Sequence, residues 1–270
     1  MIVNFGFRNY GRINIAENFS QPLDYFAFGD ESVIADLGQR VDPFIDGLSM
    51  IIIGGGGIYD RQTWKRLHKI AKRVPSTIPV IIWGMGINDH RSRDTAYDAI
   101  LGKLEGHANV LIGLRDRFYN RWVPCASCMR DEFDRKFETR HDIVYYGHLD
   151  AQLDLPYPVM TNETVGAPLE RLGRVVEFLG SAEAVVTNTY HGAYWGTLLG
   201  KRVVVIKPFS NKFFGLRHQP EIVDDATEIE AAAGRARSYE NALAESRAAN
   251  MDFYRKILAF REDGQIVAAG

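Results

Sequence analysis

Short, continuously apolar runs alternate with helix-like segments along most of the chain. Phe44–Ile53, Pro79–Trp83 and Asn109–Leu114 predict strands buried on both faces, as in parallel sheets covered by helices. Further strands are predicted over 143–146, 184–186 and 203–206. Apolar residues at helical spacing predict helices over 61–73, 95–104 and 168–179, and a shorter helix is predicted over 32–39. This alternation favours an α/β fold.

Glycine directly follows two of the predicted strands. We expect both glycine segments to form loops at one edge of a sheet, where ligands of open α/β sheets bind. Glycine allows a ligand to approach the backbone closely, so substrate contact is predicted for Gly55, Gly56, Gly57, Gly84 and Gly86. Neither a P-loop nor an in-register GxGxxG is present, and a turn required only for packing is the alternative.

The stretch 185–218 concentrates polar side chains around one predicted strand–helix–strand unit. A buried strand leads into Asn188, Thr189 and His191 before a helix over 193–199, and Lys212 follows the next strand. Helix N-termini present free N–H groups and favour anions, while histidine moves protons near neutral pH. The stretch therefore predicts an anion-handling active site. The alternative for His191 is a residue that only fills the turn.

Two further residues follow strands or glycines at the same predicted edge. Arg115 can bind a carboxylate or phosphate through its planar fork, although a surface ion pair with Asp116 is the alternative. Asp60 either caps the helix after the first glycine run or contacts an acceptor hydroxyl. His148 ends a later strand, and its role is left open between function and structure.

Composition narrows the possible partners. Hydrophobic residues make up 46% and charged residues 24%, with a net charge of −2, so no nucleic-acid partner is indicated. The apolar runs are too short to span a bilayer and no signal pattern is visible, which predicts a cytoplasmic protein. Cys125 and Cys128 form an isolated CxxC, interpreted as two semi-buried thiols rather than a zinc or redox site. No metal site is predicted.

Four motifs occur in an order that resembles the polysaccharide pyruvyl transferase family. They are GGGG with a following aspartate (54–60), Gly-x-Gly (84–86), Leu-Arg-Asp (114–116) and x-x-His-Gly-Ala (189–193). The resemblance extends from Ile51 to His218. It implies a glycosyltransferase-B-type fold, in which two Rossmann-like domains face each other across a cleft. We expect an acceptor-side domain over 1–140 and a domain over 141–270 that carries His191, with terminal helices packing back on the first.

The resemblance also implies a reaction. The enolpyruvyl group of phosphoenolpyruvate would be transferred to a sugar of a surface or exopolysaccharide precursor, forming a pyruvate ketal without a cofactor. Arg115 would hold the donor, His191 would protonate the enol carbon, and Lys212 would support the anion. The saccharide acceptor is free or lipid-linked, which implies at most peripheral membrane contact.

One position departs from the family pattern. The family usually has arginine two residues before the histidine, where this chain has Thr189. Arg217 or His218 is predicted to supply the missing positive charge. Two alternatives to the pyruvyl transferase remain: a nucleotide-sugar glycosyltransferase of the same fold, and a family member that binds a glycan or anion without turnover.

Overall fold

The computed structural model describes residues 1–6, 14–59, 73–89, 109–163 and 167–268. Nearly all of the predicted helix 61–73, the predicted helix 95–104 and Asp60 lie outside these ranges. Five described strands precede residue 120: β1 Ile2–Gly6, β2 Ser32–Asp36, β3 Met50–Tyr59, β4 Val80–Ile87 and β5 Val110–Leu114. Five follow it: β6 His141–Gly147, β7 Val159–Thr161, β8 Ala182–Thr187, β9 Arg202–Ile206 and β10 Glu221–Val223. The described α-helices are α1 Pro168–Gly180, α2 Tyr190–Leu198, α3 Ile229–Arg235 and α4 Ala242–Ala268.

The strands form two parallel five-stranded sheets, which confirms the predicted α/β class. The first has the order β2-β1-β3-β4-β5, and the second β10-β9-β8-β6-β7. Counted from its own first strand, each sheet has the same 2-1-3-4-5 order. In that order the chain reverses direction across the sheet between the first and third strands, and ligands bind beyond the carboxyl ends of those strands. The proposed domain limits at residue 140 remain a prediction.

The first sheet is buried on both faces, as its apolar runs predicted. Alternate residues of β4 belong to different cores, because successive side chains of a strand point to opposite faces. Ile81 and Trp83 pack with Phe253 and Ile257 of α4, whereas Ile82 packs in the opposite core. The C-terminal helix thus covers one face of the first sheet.

One face of the second sheet is covered by α1 and α2, and the other face packs against α3. The apolar stripe predicted for α1 is confirmed at four positions, which are buried: Leu172, Val175, Val176 and Leu179. Leu169 also has the spacing of this stripe, but 55% of it is exposed. The 3₁₀ helix Ile15–Phe19 also packs in this second-sheet core, through Ile15, Ala16 and Phe19, although it follows β1 in the chain.

Three sequence predictions of local structure are wrong, and the strand predicted over 44–53 is displaced, since β3 begins only at Met50. Residues 32–39 were predicted to be helical, but Ser32–Asp36 forms the edge strand β2, paired in register with β1. Both glycine segments were predicted to be loops, yet they lie inside strands. Gly54 pairs with Trp83 and Gly56 with Met85, so the parallel ladder continues through both segments. Backbone pairing with a neighbouring strand therefore overrides the local turn preference of glycine.

Polar backbone contacts fix the position of one sheet relative to the other. Asp89 donates its N–H to Asn211 Oδ1 at 2.8 Å, and Asn211 returns a backbone N–H to the Asp89 carbonyl at 3.0 Å. Elsewhere, Arg117 donates its backbone N–H to the Gly215 carbonyl at 2.8 Å. These contacts join segments that follow β4 and β5 to the segment that follows β9. None of the described helices has the length and apolar character needed to cross a bilayer.

Removal of the Asn250 side chain should destabilise the fold. Asn250 is fully buried on α4, accepts the indole N–H of Trp83 at 2.8 Å and donates to the Pro124 carbonyl at 3.2 Å. In Asn250→Ala both groups lose their buried partner, so the free energy of unfolding should fall by about 1–3 kcal/mol or more. Urea denaturation measures this. Asn120→Ala, at an exposed position in the turn that follows β5, is the control, and an equal loss in both variants would contradict the prediction.

Candidate active site

A cavity of about 130 Å³ lies where the carboxyl ends of strands from both sheets meet. The first sheet contributes the end of β3 and the residues just after β4 and β5: Gly55, Gly56, Gly57, Asn88 and Arg115. The second contributes residues that follow β6 to β9: His148, Asn162, Thr189, Tyr190, His191 and Lys212. Most of the residues singled out by the sequence are therefore brought to one place.

His191 lies in the first turn of α2. Thr189 is the N-cap of this helix and accepts the backbone N–H of Gly192 at 2.8 Å, so the helix begins three residues earlier than predicted. Nε2 of His191 lies 3.5 Å from Ser20 Oγ and 3.4 Å from Cys125 Sγ. Burial lowers the pKa of His191 well below its ordinary value, and the positive charges of Arg115 and Lys212 add to this effect. The imidazole is therefore neutral in the empty pocket.

Arg115 is the most deeply buried cation of the pocket, with only 2% of its surface exposed. Its guanidinium carbon lies 3.7 Å from the centre of the Tyr190 ring, a cation–π contact. Its Nε is buried without a hydrogen-bond partner, and the side chain forms no ion pair within the described ranges. The alternative of a surface ion pair with Asp116 is thus wrong, because the side chain points inward.

Two glycines make room for that guanidinium group. A Cβ atom on Gly86 would collide with Nε of Arg115, and one on Gly57 would lie 3.0 Å from Nη2. The predicted role of Gly86 is therefore changed: it admits the arginine side chain rather than a substrate. Gly57 still lines the cavity beside Asn88, whose Oδ1 is buried and unpartnered among the described residues.

Lys212 supplies the second positive charge. Its ammonium group lies 4.3 Å from the centre of the Phe209 ring. Burial, with repulsion from Arg115 as the second cause, lowers its pKa to about 7. An anion bound between these cations would offset the repulsion and raise the pKa of both Lys212 and His191.

A row of three residues that the sequence analysis missed completes the cavity. Asn14, Glu17 and Ser20 all line it. They are the N-cap, the third residue and the C-cap of the 3₁₀ helix Ile15–Phe19. Such a helix has three residues per turn, so residues three apart lie above one another. The spacing of polar residues at i, i+3 and i+6 was the sequence signal for this face.

Asn188 has a supporting position instead of a place in the cavity wall. Its Oδ1 accepts the backbone N–H of His148 at 2.7 Å, and its Nδ2 donates to the Ala151 carbonyl at 2.6 Å. These bonds hold the segment after β6, and His148 itself lines the pocket. Asn188 was predicted to contact substrate, but its hydrogen bonds give it a structural role. For His148, the position in the cavity wall favours a functional role over a structural one.

Three other predicted site residues lie elsewhere. A Cβ on Gly84 would lie 3.1 Å from the Pro124 carbonyl, and its positive φ of 64° favours glycine, so this residue serves packing. Arg217 stacks on Trp122 at 4.6 Å, and His218 pairs with Glu245 at 3.0 Å. Neither lines the cavity, so the expectation that one of them replaces the missing arginine is corrected.

The CxxC cysteines are free thiols, both almost completely buried. Burial is the main reason that the pKa of Cys128 rises to about 12. Cys125 touches both His191 and Ser20, which the sequence gave no reason to expect. Within the described ranges no group of three or more His, Cys, Asp or Glu side chains could hold a metal ion.

Comparisons with known proteins place the chain far from characterised ones. No family model matches the sequence, and no curated protein matches it. One similar solved structure is a functionally uncharacterised protein from Klebsiella pneumoniae subsp. pneumoniae, with 16% identity, coverage of 77% of this chain and 82% of that chain, and a TM-score of 0.48. Another is an alpha-glucosyltransferase in complex with UDP and DNA, with 11% identity, coverage of 96% and 94%, and a TM-score of 0.36. Neither likeness is close enough to transfer a function.

A methyl group at residue 86 should disable the anion site without straining the backbone. Gly86 has no positive φ, so Gly86→Ala acts through the collision with Arg115. Displacement of the guanidinium group should weaken sulfate binding by about tenfold or more, measured by calorimetry. Gly234→Ala, which meets nothing within 4 Å, is the matched control. Unchanged affinity in Gly86→Ala would contradict this account of Arg115.

Anion binding should take up a proton at Lys212. Below its pKa of about 7 the lysine is already charged, so its own contribution to the pH dependence of sulfate affinity should vanish there. Above that pH each bound sulfate must bring a proton, and affinity should fall by up to about tenfold per pH unit. Calorimetry in two buffers of different ionisation enthalpy measures the uptake. It should decrease in Lys212→Met and persist in the exposed control Lys136→Met; equal uptake in both variants would refute the assignment.

Proposed function

We propose that this protein is a ketal-forming pyruvyl transferase that uses phosphoenolpyruvate as donor and a saccharide as acceptor. The observation that carries the proposal is the meeting of His191, Arg115 and Lys212 in one cavity. The donor carries a carboxylate and a phosphate, so its binding requires at least two cationic groups near the reacting carbon. The four motifs of the sequence add the family resemblance.

The electrostatics of the cavity suit such a donor. Arg115 is charged but has no anionic partner within the described ranges, and a buried charge of this kind is costly until an anion arrives. Lys212 is close to its titration midpoint at neutral pH. A polyanionic donor would satisfy the first cation and fully charge the second.

The same charges explain how His191 would become an acid. Burial and, next to it, the charges of Arg115 and Lys212 hold the pKa of His191 low. The negative charge of phosphoenolpyruvate would oppose both cations and raise the pKa of the imidazole, which would then carry the proton that the methylene carbon needs. Protonation of that carbon leaves an electrophile at the adjacent carbon, which a sugar hydroxyl can attack.

The two sheets that line the cavity also support a proposed arrangement of domains. Two Rossmann-like domains of glycosyltransferase-B type, divided near residue 140, would bind donor and acceptor in the cleft between them. The support is that both sheets have the same strand order and that their carboxyl ends line one cavity. A glycan precursor, free or lipid-linked, is the class of acceptor that the family resemblance implies.

Removal of the His191 imidazole should abolish turnover. The wild-type protein, incubated with phosphoenolpyruvate and sugars that carry neighbouring hydroxyls, should release phosphate and yield a product with the mass of the pyruvate ketal. His191→Ala should lower this rate by about 10²–10⁴-fold, as expected for loss of a general acid. The control is His141→Ala, at the opposite end of β6 from the pocket.

Other outcomes of this assay distinguish the alternatives. Release of phosphate that is unaffected by His191→Ala would remove the acid role. Consumption of a nucleotide sugar instead of phosphoenolpyruvate would identify a glycosyltransferase. Donor binding without turnover, over a broad panel of acceptors, would identify an anion- or glycan-binding protein.

A further inference from the structure

We propose that Glu17 is a second catalytic residue, which removes the proton from the attacking hydroxyl of the saccharide acceptor. This inference rests on the proposed function and assigns the acceptor side of the same cavity to the 3₁₀ helix Ile15–Phe19. Among the described residues that line the cavity, Glu17 is the only one with a carboxyl group.

The position of Glu17 is fixed on both sides. Asn14, three residues before it, is the N-cap and accepts the backbone N–H of Ala16 at 3.2 Å. Ser20, three residues after it, lies 3.5 Å from Nε2 of His191. Because residues three apart share one face of a 3₁₀ helix, Glu17 lies one turn from the residue that touches the proposed acid. The helix is anchored by Ile15, whose backbone N–H bonds to the Asn162 carbonyl at 2.9 Å.

The carboxyl group of Glu17 is held in a state that suits proton transfer. Its Oε2 is buried and has no hydrogen-bond partner within the described ranges, and such orphan atoms are rare unless they serve a ligand. Burial, with the negative charge of Asp36 as second cause, raises the pKa of Glu17 to about 7. A carboxylate with this pKa is a stronger base than an ordinary one and is still deprotonated in a large fraction at neutral pH.

The chemistry of ketal formation requires a second group of this kind. Two hydroxyl groups of the acceptor become bonded to one carbon of the donor, so two protons must leave them. One ends on the methylene carbon, which becomes a methyl group, and the other leaves with the phosphate. His191 can give its proton to the methylene carbon, but it cannot remove the hydroxyl proton in the same step.

The steps then balance with two residues. The first hydroxyl oxygen bonds to the enol carbon while His191 gives its proton to the methylene carbon, and Glu17 takes the hydroxyl proton. The bond from carbon to the phosphate oxygen breaks with its electron pair, and Glu17 passes its proton to that oxygen. The second hydroxyl adds to the same carbon, and its proton restores His191. Both residues end in the state in which they began.

The test compares Glu17→Gln, which keeps the size of the side chain, with the wild-type protein and with Glu17→Asp. Phosphate release from phosphoenolpyruvate with an active acceptor should fall by about 100-fold in Glu17→Gln, whereas Glu17→Asp should recover part of the rate. Donor affinity should stay equal or increase, since a negative charge is removed from an anion site. Glu31→Gln, at an exposed position, is the matched control.

The pH dependence of kcat separates a base from a merely structural residue. The wild-type kcat should rise with pH at or above about 7 as Glu17 loses its proton, because the bound anionic donor raises the pKa of this carboxyl group further. This rise should disappear in Glu17→Gln while it persists in Glu17→Asp. Several other titratable or charged groups face this region and are present in all variants, so they cannot account for the difference: Asp36, Arg115, His148, Arg171, His191 and Lys212.

Each outcome has one meaning. A Glu17→Gln rate within about threefold of the wild type overturns the role of Glu17 and leaves the pyruvyl transferase proposal intact. Loss of donor binding in folded Glu17→Gln also overturns it, because Glu17 would then serve the donor. A wild-type protein that releases no phosphate with any acceptor overturns the proposed function itself, and this inference with it.

Discussion

The cavity depends on one buried positive charge that lacks a protein counterion among the described residues. The guanidinium group of Arg115 lies across Gly86, beside Gly57 and against the ring of Tyr190. It joins the first sheet, from which Arg115 extends, to the first turn of α2, which carries Tyr190 and His191. Desolvation of such a charge is unfavourable, which is why its burial supports the proposed anion site. Burial lowers the pKa values of Lys212 and His191, and the charge of Arg115 lowers them further.

Much of the fold could be predicted because the apolar runs, although short, are uninterrupted and recur along the chain. The strands over 109–114, 143–146, 184–186 and 203–206, together with helix 168–179, all appear close to their expected bounds. Where the prediction failed, a distant strand decided the result. Residues 32–39 have no strong pattern of their own and become a strand by pairing with β1, while the glycine segments stay extended because β3 and β4 pair through them. Local propensity does not contain that information.

The candidate site was predicted in part, for an equally physical reason. His191, Arg115 and Lys212 follow buried strands, and parallel strands bring their carboxyl ends to one edge, so their meeting follows from topology. Arg217 and His218 are only a few residues beyond Lys212, yet the chain turns at Gly215, which packs against Asp116, and carries them to Trp122 and Glu245. Closeness to Lys212 in the sequence therefore does not predict which residues reach the cavity. The row Asn14, Glu17 and Ser20 was missed because a five-residue 3₁₀ helix has no apolar periodicity to find.

Thr189 acquires a consistent role in this arrangement. An arginine at this position would place a third positive charge close to His191. The pKa of His191 is already lowered by burial and by the positive charges of Arg115 and Lys212. Threonine instead caps α2, with its hydroxyl bonded to Gly192 and 3.1 Å from Thr187 Oγ1, and so fixes the backbone that presents His191. If the donor is held by Arg115 and Lys212 alone, part of its charge must be balanced by protons rather than by arginine. Lys212 and His191 are the groups that can take up those protons. Binding of the donor would therefore also protonate His191 and so make it an acid.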